Sequence, residues 1–219
     1  MTQEQLPDDS SAASLFPEFA ELYDLIAPEL RGLTDEQLDW TSDQWSWADW
    51  SIRRQLSHMA SLLYRWLMLR WGDTLFPDGD HGIADAEHVT NADFDRALPN
   101  DRYWELPLLL EKLNEAIDLT QKVLAQRDLG FLRRHKLRYN LTPQWDIMIK
   151  AHPTGINPDA NPSQGEMTLE ATFRHMYFEE ITHLYNIQRL KRAQGLPTVV
   201  NVPEVGYWVQ EGWDRSEAS

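Results

Sequence analysis

The stretch LEATFRHMYFEEITHLYNIQRLKRA, residues 169–193, decides the fold. Leu169, Phe173, Met176, Leu184 and Ile187 fall on one face when the chain is wound at the helical period. Thr168 is placed to cap the first turn, and Gly195-Leu196-Pro197 to stop the last. On a wheel of about 100° per residue with His183 at zero, the apolar members centre near about +60°. On the same wheel Glu180 falls at about +60°, Glu179 at about −40° and His175 at about −80°. Glu179 and His183 therefore flank the buried stripe, Glu180 sits near its middle, and His175 lies further out. Residues four apart stack on one helix face, so Glu179 and His183 can grip one ion or simply pair with each other. A carboxylate that faces a core, as Glu180 does here, must be paired, protonated or bound to a cation.

Working outward, three more helical patterns precede this one. Leu15, Phe19, Leu22, Ile26 and Leu30 predict a helix over residues 14–30, with Gly32 as its stop. Ile52, Leu56, Met59, Leu63, Trp66 and Leu67 predict a second over 51–71, capped by Ser51. Leu106, Leu110, Leu113, Ile117 and Leu124 predict a third over 103–127, with a start near 105 because Pro107 suits a first turn. Between them, 33–49 reads as a connection folded back on the core through Trp40, Trp45 and Trp47. No stretch shows convincing strand alternation, and there is no internal repeat. Amphipathic helices of these lengths bury their stripes best against one another. The expectation is an all-α four-helix bundle with long 2–3 and 3–4 connections. A polar, disordered tail precedes it over 1–13, a single domain covers 14–213, and a C-terminal aromatic arm or short helix closes it.

Composition narrows the function. The chain has 219 residues, with 35 Asp and Glu against 20 Lys and Arg, for a net charge of −15. That balance disfavours nucleic acid and anionic membrane surfaces as partners. No apolar run reaches the ~20 residues of a membrane-spanning helix. The first fourteen residues lack the basic and apolar regions of a signal peptide, so a cytoplasmic location is the default. There is no cysteine, which excludes disulfides, thiolate metal sites and a thiol nucleophile borne by the protein.

Seven histidines remain as candidates. His81, His88, His135 and His152 fall in expected loops and read as solvated surface residues. The stretch Asp78-Gly79-Asp80-His81-Gly82 does not place its glycine and glutamate where an EF-hand loop needs them. His58 lies beside the apolar stripe of the second helix, where a core histidine satisfied by one hydrogen bond is the simpler reading. The run Glu179-Glu180-Ile181-Thr182-His183 lacks the first histidine of a His-Glu-x-x-His zinc motif. Glu180-x-x-His183 occurs once, whereas a di-iron bundle needs two such motifs. The ligand count suits one metal ion. The basic run over 133–138 reads first as a solvated loop that offsets acidic neighbours, with a substrate carboxylate as its functional alternative.

Two segments carry a resemblance. The first is Leu38-Asp39-Trp40 followed by Trp50-Ser51-Ile52-Arg53-Arg54-Gln55-Leu56-Ser57-His58; the second runs from Phe173-Arg174-His175 to His183-Leu184-Tyr185-Asn186-Ile187, then Leu190 and Gly195-Leu196. They resemble the DinB-like metal-binding four-helix bundles, and the likeness spans most of 14–197. The resemblance implies His58, Glu179 and His183 as ligands of one divalent ion, with glutamate at a position where the family usually has histidine. Whether Glu179 or Glu180 is the carboxylate ligand stays open. Two imidazoles and a carboxylate leave coordination positions open and suit Zn, Ni, Mn or Fe. The family implies a thiol-dependent S-transferase or a metal-dependent hydrolase, with Glu180 as base or orienting residue. The partner is then a small-molecule substrate, such as a low-molecular-weight thiol, and a homodimer is the state that family members often adopt. The alternative is a non-catalytic stress-response or ligand-binding bundle with a vestigial site.

Overall fold

The computed structural model describes residues 6–90, 96–140, 145–159 and 164–218. Four helices share the main core: α1 (Leu22–Leu30), α2 (Ile52–Tyr64), α3 (Leu106–Ala125) and α4 (Leu169–Ala193). α2 packs on α3 and α4, and α1 touches both of the same partners. The apolar stripes meet as their periodicity requires: Leu22, Ile26, Leu56, Met59, Leu113, Ile117, Met176 and Ile187 are all buried. Phe16, Phe19, Phe173 and Tyr177 close one end of this core through ring contacts between 5.8 and 6.5 Å.

The caps follow the sequence. Ser51 Oγ accepts the Arg54 N–H at 3.2 Å, and Thr168 Oγ1 accepts the Ala171 N–H at 3.1 Å. Pro107 stands in the first turn of α3, where its missing N–H is not needed. Gly195 adopts φ +71° after α4, and Leu196 N–H returns to the Lys191 carbonyl at 2.8 Å. Two helices are shorter than their patterns. The stretch ahead of α1 is broken into 3-10 turns at Ala12–Ser14 and Pro17–Ala20, the second opened by a proline. α2 leaves α-geometry at Tyr64 and continues as a π-helical turn over Arg65–Arg70, in which Trp71 N–H reaches back five residues to Trp66. Of the leading segment, residues 1–5 lie outside the described ones. The rest runs along the turn before and into Leu129–Arg134, with Gly130 N–H on the Asp8 carbonyl and Ala12 N–H on that of Arg127.

The expectation of no strands is corrected. A three-stranded antiparallel sheet, ordered β1-β3-β2, forms in the long segment before α4 from β1 (Lys136–Asn140), β2 (Ile156–Pro158) and β3 (Gln164–Thr168). Leu137 and Ile156 both pair with Met167. Gly155 enters β2 at φ +83°, where an added Cβ would stand 2.3 Å from Thr168 Oγ1, so only glycine lets this turn close on the cap of α4. The alternation was present as Lys136-Leu137-Arg138-Tyr139, with charged side chains exposed and apolar ones half-buried, but it reads as a basic cluster. That cluster is occupied by acidic neighbours: Arg133 bonds Asp8 and Glu170, Lys136 meets Glu166 at 3.2 Å, and Arg138 pairs with Asp159. Among the described residues, no helix is long and apolar enough to cross a membrane.

Candidate metal centre

α2 and α4 cross so that His58 and His183 face each other, with ring centroids 4.6 Å apart. Glu179, one turn before His183, joins them. One ligand atom from each of His58, Glu179 and His183 lies within 4.8 Å of the others. The three residues that spacing and resemblance singled out are thus brought together, and a metal ion could be held there.

Neighbouring groups orient both rings. His58 Nδ1 lies 2.5 Å from the Arg96 carbonyl, and His183 Nδ1 bonds the Gln55 side-chain oxygen. Both partners are acceptors, so each Nδ1 carries the proton and each Nε2 keeps its lone pair in the neutral ring. Trp50 stacks parallel to His183 at 6.0 Å and presents an edge to His58 at 5.2 Å. Burial, then the facing His183 ring, pull the His58 imidazole down to a pKa of about 3. It is therefore neutral at ordinary pH, as a ligand must be. Burial alone would raise the Glu179 carboxyl; a proton on the His183 nitrogen that faces it outweighs burial and holds the group low. His183 Nε2 stands 3.4 Å from Glu179 Oε2. A lone pair and a carboxylate oxygen at that distance call for a proton or a cation between them. The donor set, its tautomers and this contact all fit a divalent ion.

Glu180 is placed differently. Its side chain is 0 % exposed, neither carboxyl oxygen has a partner among the described residues, and it does not line the cavity beside the triad. Burial, then the charge of Glu179, push its pKa well above the usual carboxylate range, so it is held as the neutral acid.

The triad opens into a cavity of about 960 Å³. One wall is α2 with its π-turn, which contributes Arg65, Trp66 and Arg70; another is the sheet, with Leu137, Arg138, Tyr139 and Met167. Tyr207 and Trp213, from the segment after α4, also line it. Gly206, at φ +104° and tight against the Phe178 carbonyl, turns that segment inward, and Tyr207 N–H bonds Thr182 Oγ1 at 2.9 Å.

Here the structure corrects two expectations. His152 is not a surface residue but 2 % exposed, and His175 is buried rather than turned outward. The Tyr207 hydroxyl sits between them, 2.6 Å from His175 Nδ1 and 2.8 Å from His152 Nε2. Burial lowers both imidazoles, His152 to about 3, with the neighbouring His175 adding to that shift. Both rings are neutral, and one hydroxyl cannot donate to both. His152 Nδ1 is buried without a partner among the described residues, and a bare acceptor costs less there than an orphaned N–H. The consistent arrangement has His152 Nε2–H donating to the Tyr207 oxygen and Tyr207 O–H donating to His175 Nδ1. No sequence signal joins these residues, since Tyr207 lies 55 positions from His152 and 32 from His175. Of the other expected surface histidines, His88 is exposed, while His135 bonds the Phe131 carbonyl at 2.8 Å.

A family model described as the DinB superfamily matches residues 18–187. No curated protein and no solved structure matches the chain.

Proposed function

The chain belongs to the DinB superfamily, and from that premise we propose that it is a mononuclear divalent-metal enzyme acting on a small molecule, as a thiol-dependent S-transferase or a hydrolase. The observation that carries the reading is the convergence of His58, Glu179 and His183 within 4.8 Å at the wall of a cavity. Two imidazoles and one carboxylate suit Zn, Ni, Mn or Fe and leave positions for water or substrate. When bound, such an ion supplies charge that lowers the pKa of a small thiol or a water and makes it a nucleophile at neutral pH. The remaining work falls to the chain's own residues. His58 and His183 turn their Nε2 atoms to the site because the Arg96 carbonyl and the Gln55 side-chain oxygen hold their Nδ1 atoms. Trp50 covers the His183 ring and limits water on that side. Tyr207 and His175 stand at the cavity wall with a shared hydrogen bond that orients the hydroxyl. Glu180, buried and neutral, supports the core face of α4 in this reading and does not act as the base. With no cysteine in the chain, a thiol must come from a cosubstrate. The same reading takes the four core helices as the family's four-helix bundle, with a cytoplasmic location and homodimeric assembly.

The test is turnover by metal-loaded protein with a panel of small thiols and an electrophile, followed by thiol consumption. The reading expects one thiol to be consumed in a reaction that falls about 100-fold or more in His58→Ala. Stoichiometric metal without acceleration for any thiol or for water would replace the enzyme with a binding protein.

A further inference from the structure

Several arginines of this chain have anionic or carbonyl partners. Arg53 bonds Asp35 and Asp39, Arg133 bonds Asp8 and Glu170, and Arg192 bonds Glu217. Arg65 and Arg70 have no hydrogen-bond or ion-pair partner among the described residues, although acidic residues outnumber basic ones 35 to 20. Both line the cavity that holds the candidate metal centre. They bracket the π-helical turn, whose wider pitch brings residues five apart toward one face. Arg65 is half-buried there, and Arg70 is exposed. The cavity lining holds four arginines, Arg65, Arg70, Arg96 and Arg138, against the acidic Asp49 and Glu179. Arg138 is already paired with Asp159, so Arg65 and Arg70 are the cations left to attract an anion at this mouth.

The spacing gives the ligand a length. Arg65 follows His58 by seven residues on the same helix, which is about 10 Å along the axis at roughly 1.5 Å per residue. Trp66 and Leu69 supply apolar surface on the same turn. We propose that Arg65, with Arg70 at the rim, binds the carboxylate of an elongated organic anion whose apolar body lies along Trp66. A planar guanidinium offers two parallel N–H donors to a carboxylate, which a lone ammonium does not. The anion site stands on the unpaired arginines alone. That the far end of the ligand reaches the reacting centre rests on the metal reading above.

The experiment compares 4-phenylbutyrate with its neutral amide by calorimetry, on metal-free and metal-loaded protein. The acid is expected to bind about tenfold or more tightly than the amide in both states, because the pairing is charge-assisted. Arg65→Gln is expected to erase that preference and leave amide binding unchanged, and Arg65→Lys to restore part of it. Equal binding of acid and amide, absence of acid binding at millimolar concentration, or a preference that survives Arg65→Gln would overturn the proposal. A preference seen only in metal-loaded protein and insensitive to Arg65→Gln would place the carboxylate on the metal, sinking the Arg65 site while leaving the metal reading intact.

Discussion

Tyr207 joins two buried imidazoles through one hydroxyl, and its loss leaves both without that partner. Tyr207→Phe keeps the ring and its packing against Phe178, whose centroid is 5.7 Å away. The stability lost should therefore reflect the two hydrogen bonds, about 1–3 kcal/mol for buried groups left unsatisfied. Urea unfolding of the variant checks this, and a loss under about 0.5 kcal/mol would mean that water replaces the hydroxyl. At this scale the sequence was partly legible. Glu179 and His183 could be paired because their partnership is local to one helix, and His58 joined them through a resembling motif. Helical position alone could not discriminate Glu179 from Glu180; the structure puts the first at the cavity and the second in the core. His152 and Tyr207 carry no local pattern, because their contact is made by the closing segment folding back over α4.

Between elements, one buried ion pair ties α1 to α4 and to the segment beyond it. Glu29 bonds Lys191, accepts the Val199 and Val200 N–H groups at 2.7 and 2.8 Å, and accepts from Gln188 at 2.7 Å. Burial would raise its pKa, but Lys191 and these donors outweigh that and hold it below its ordinary 4.5. A carboxylate with a depressed folded-state pKa contributes stability that is full above the unfolded value and is lost as pH falls through the folded one. Wild type should therefore lose stability below about pH 4.5 more steeply than Glu29→Gln, whose side chain does not titrate. At neutral pH the variant should be less stable by about 3–5 kcal/mol, because Lys191 is left buried without its counter-charge. Parallel pH profiles for the two proteins would contradict this role. The long elements were legible from caps and period: α4 spans Leu169–Ala193 as its pattern requires. The sheet was not, since each strand is only three to five residues and β3 buries Gly165, Met167 and Thr168, of which only Met167 is a large apolar residue. The π-turn also leaves no mark, because its residues continue the apolar period of α2.

At the scale of the whole molecule, an acidic chain encloses a cavity rich in arginine beside a cluster of buried imidazoles. The helices bring the cluster together, and the parts that the sequence left as connections wall it in. An ion bound only to the folded state would stabilise it by mass action, about 2.7 kcal/mol at a hundred times its dissociation constant. The most direct measurement is elemental analysis of protein purified without chelator and equilibrated with Zn, Ni, Mn or Fe, beside His183→Ala of unchanged helical content. One equivalent of a divalent metal per wild-type chain, absent from the variant, is the predicted result. Wild-type protein that takes up no metal, or a variant that retains a full equivalent, would contradict a site built from His58, Glu179 and His183.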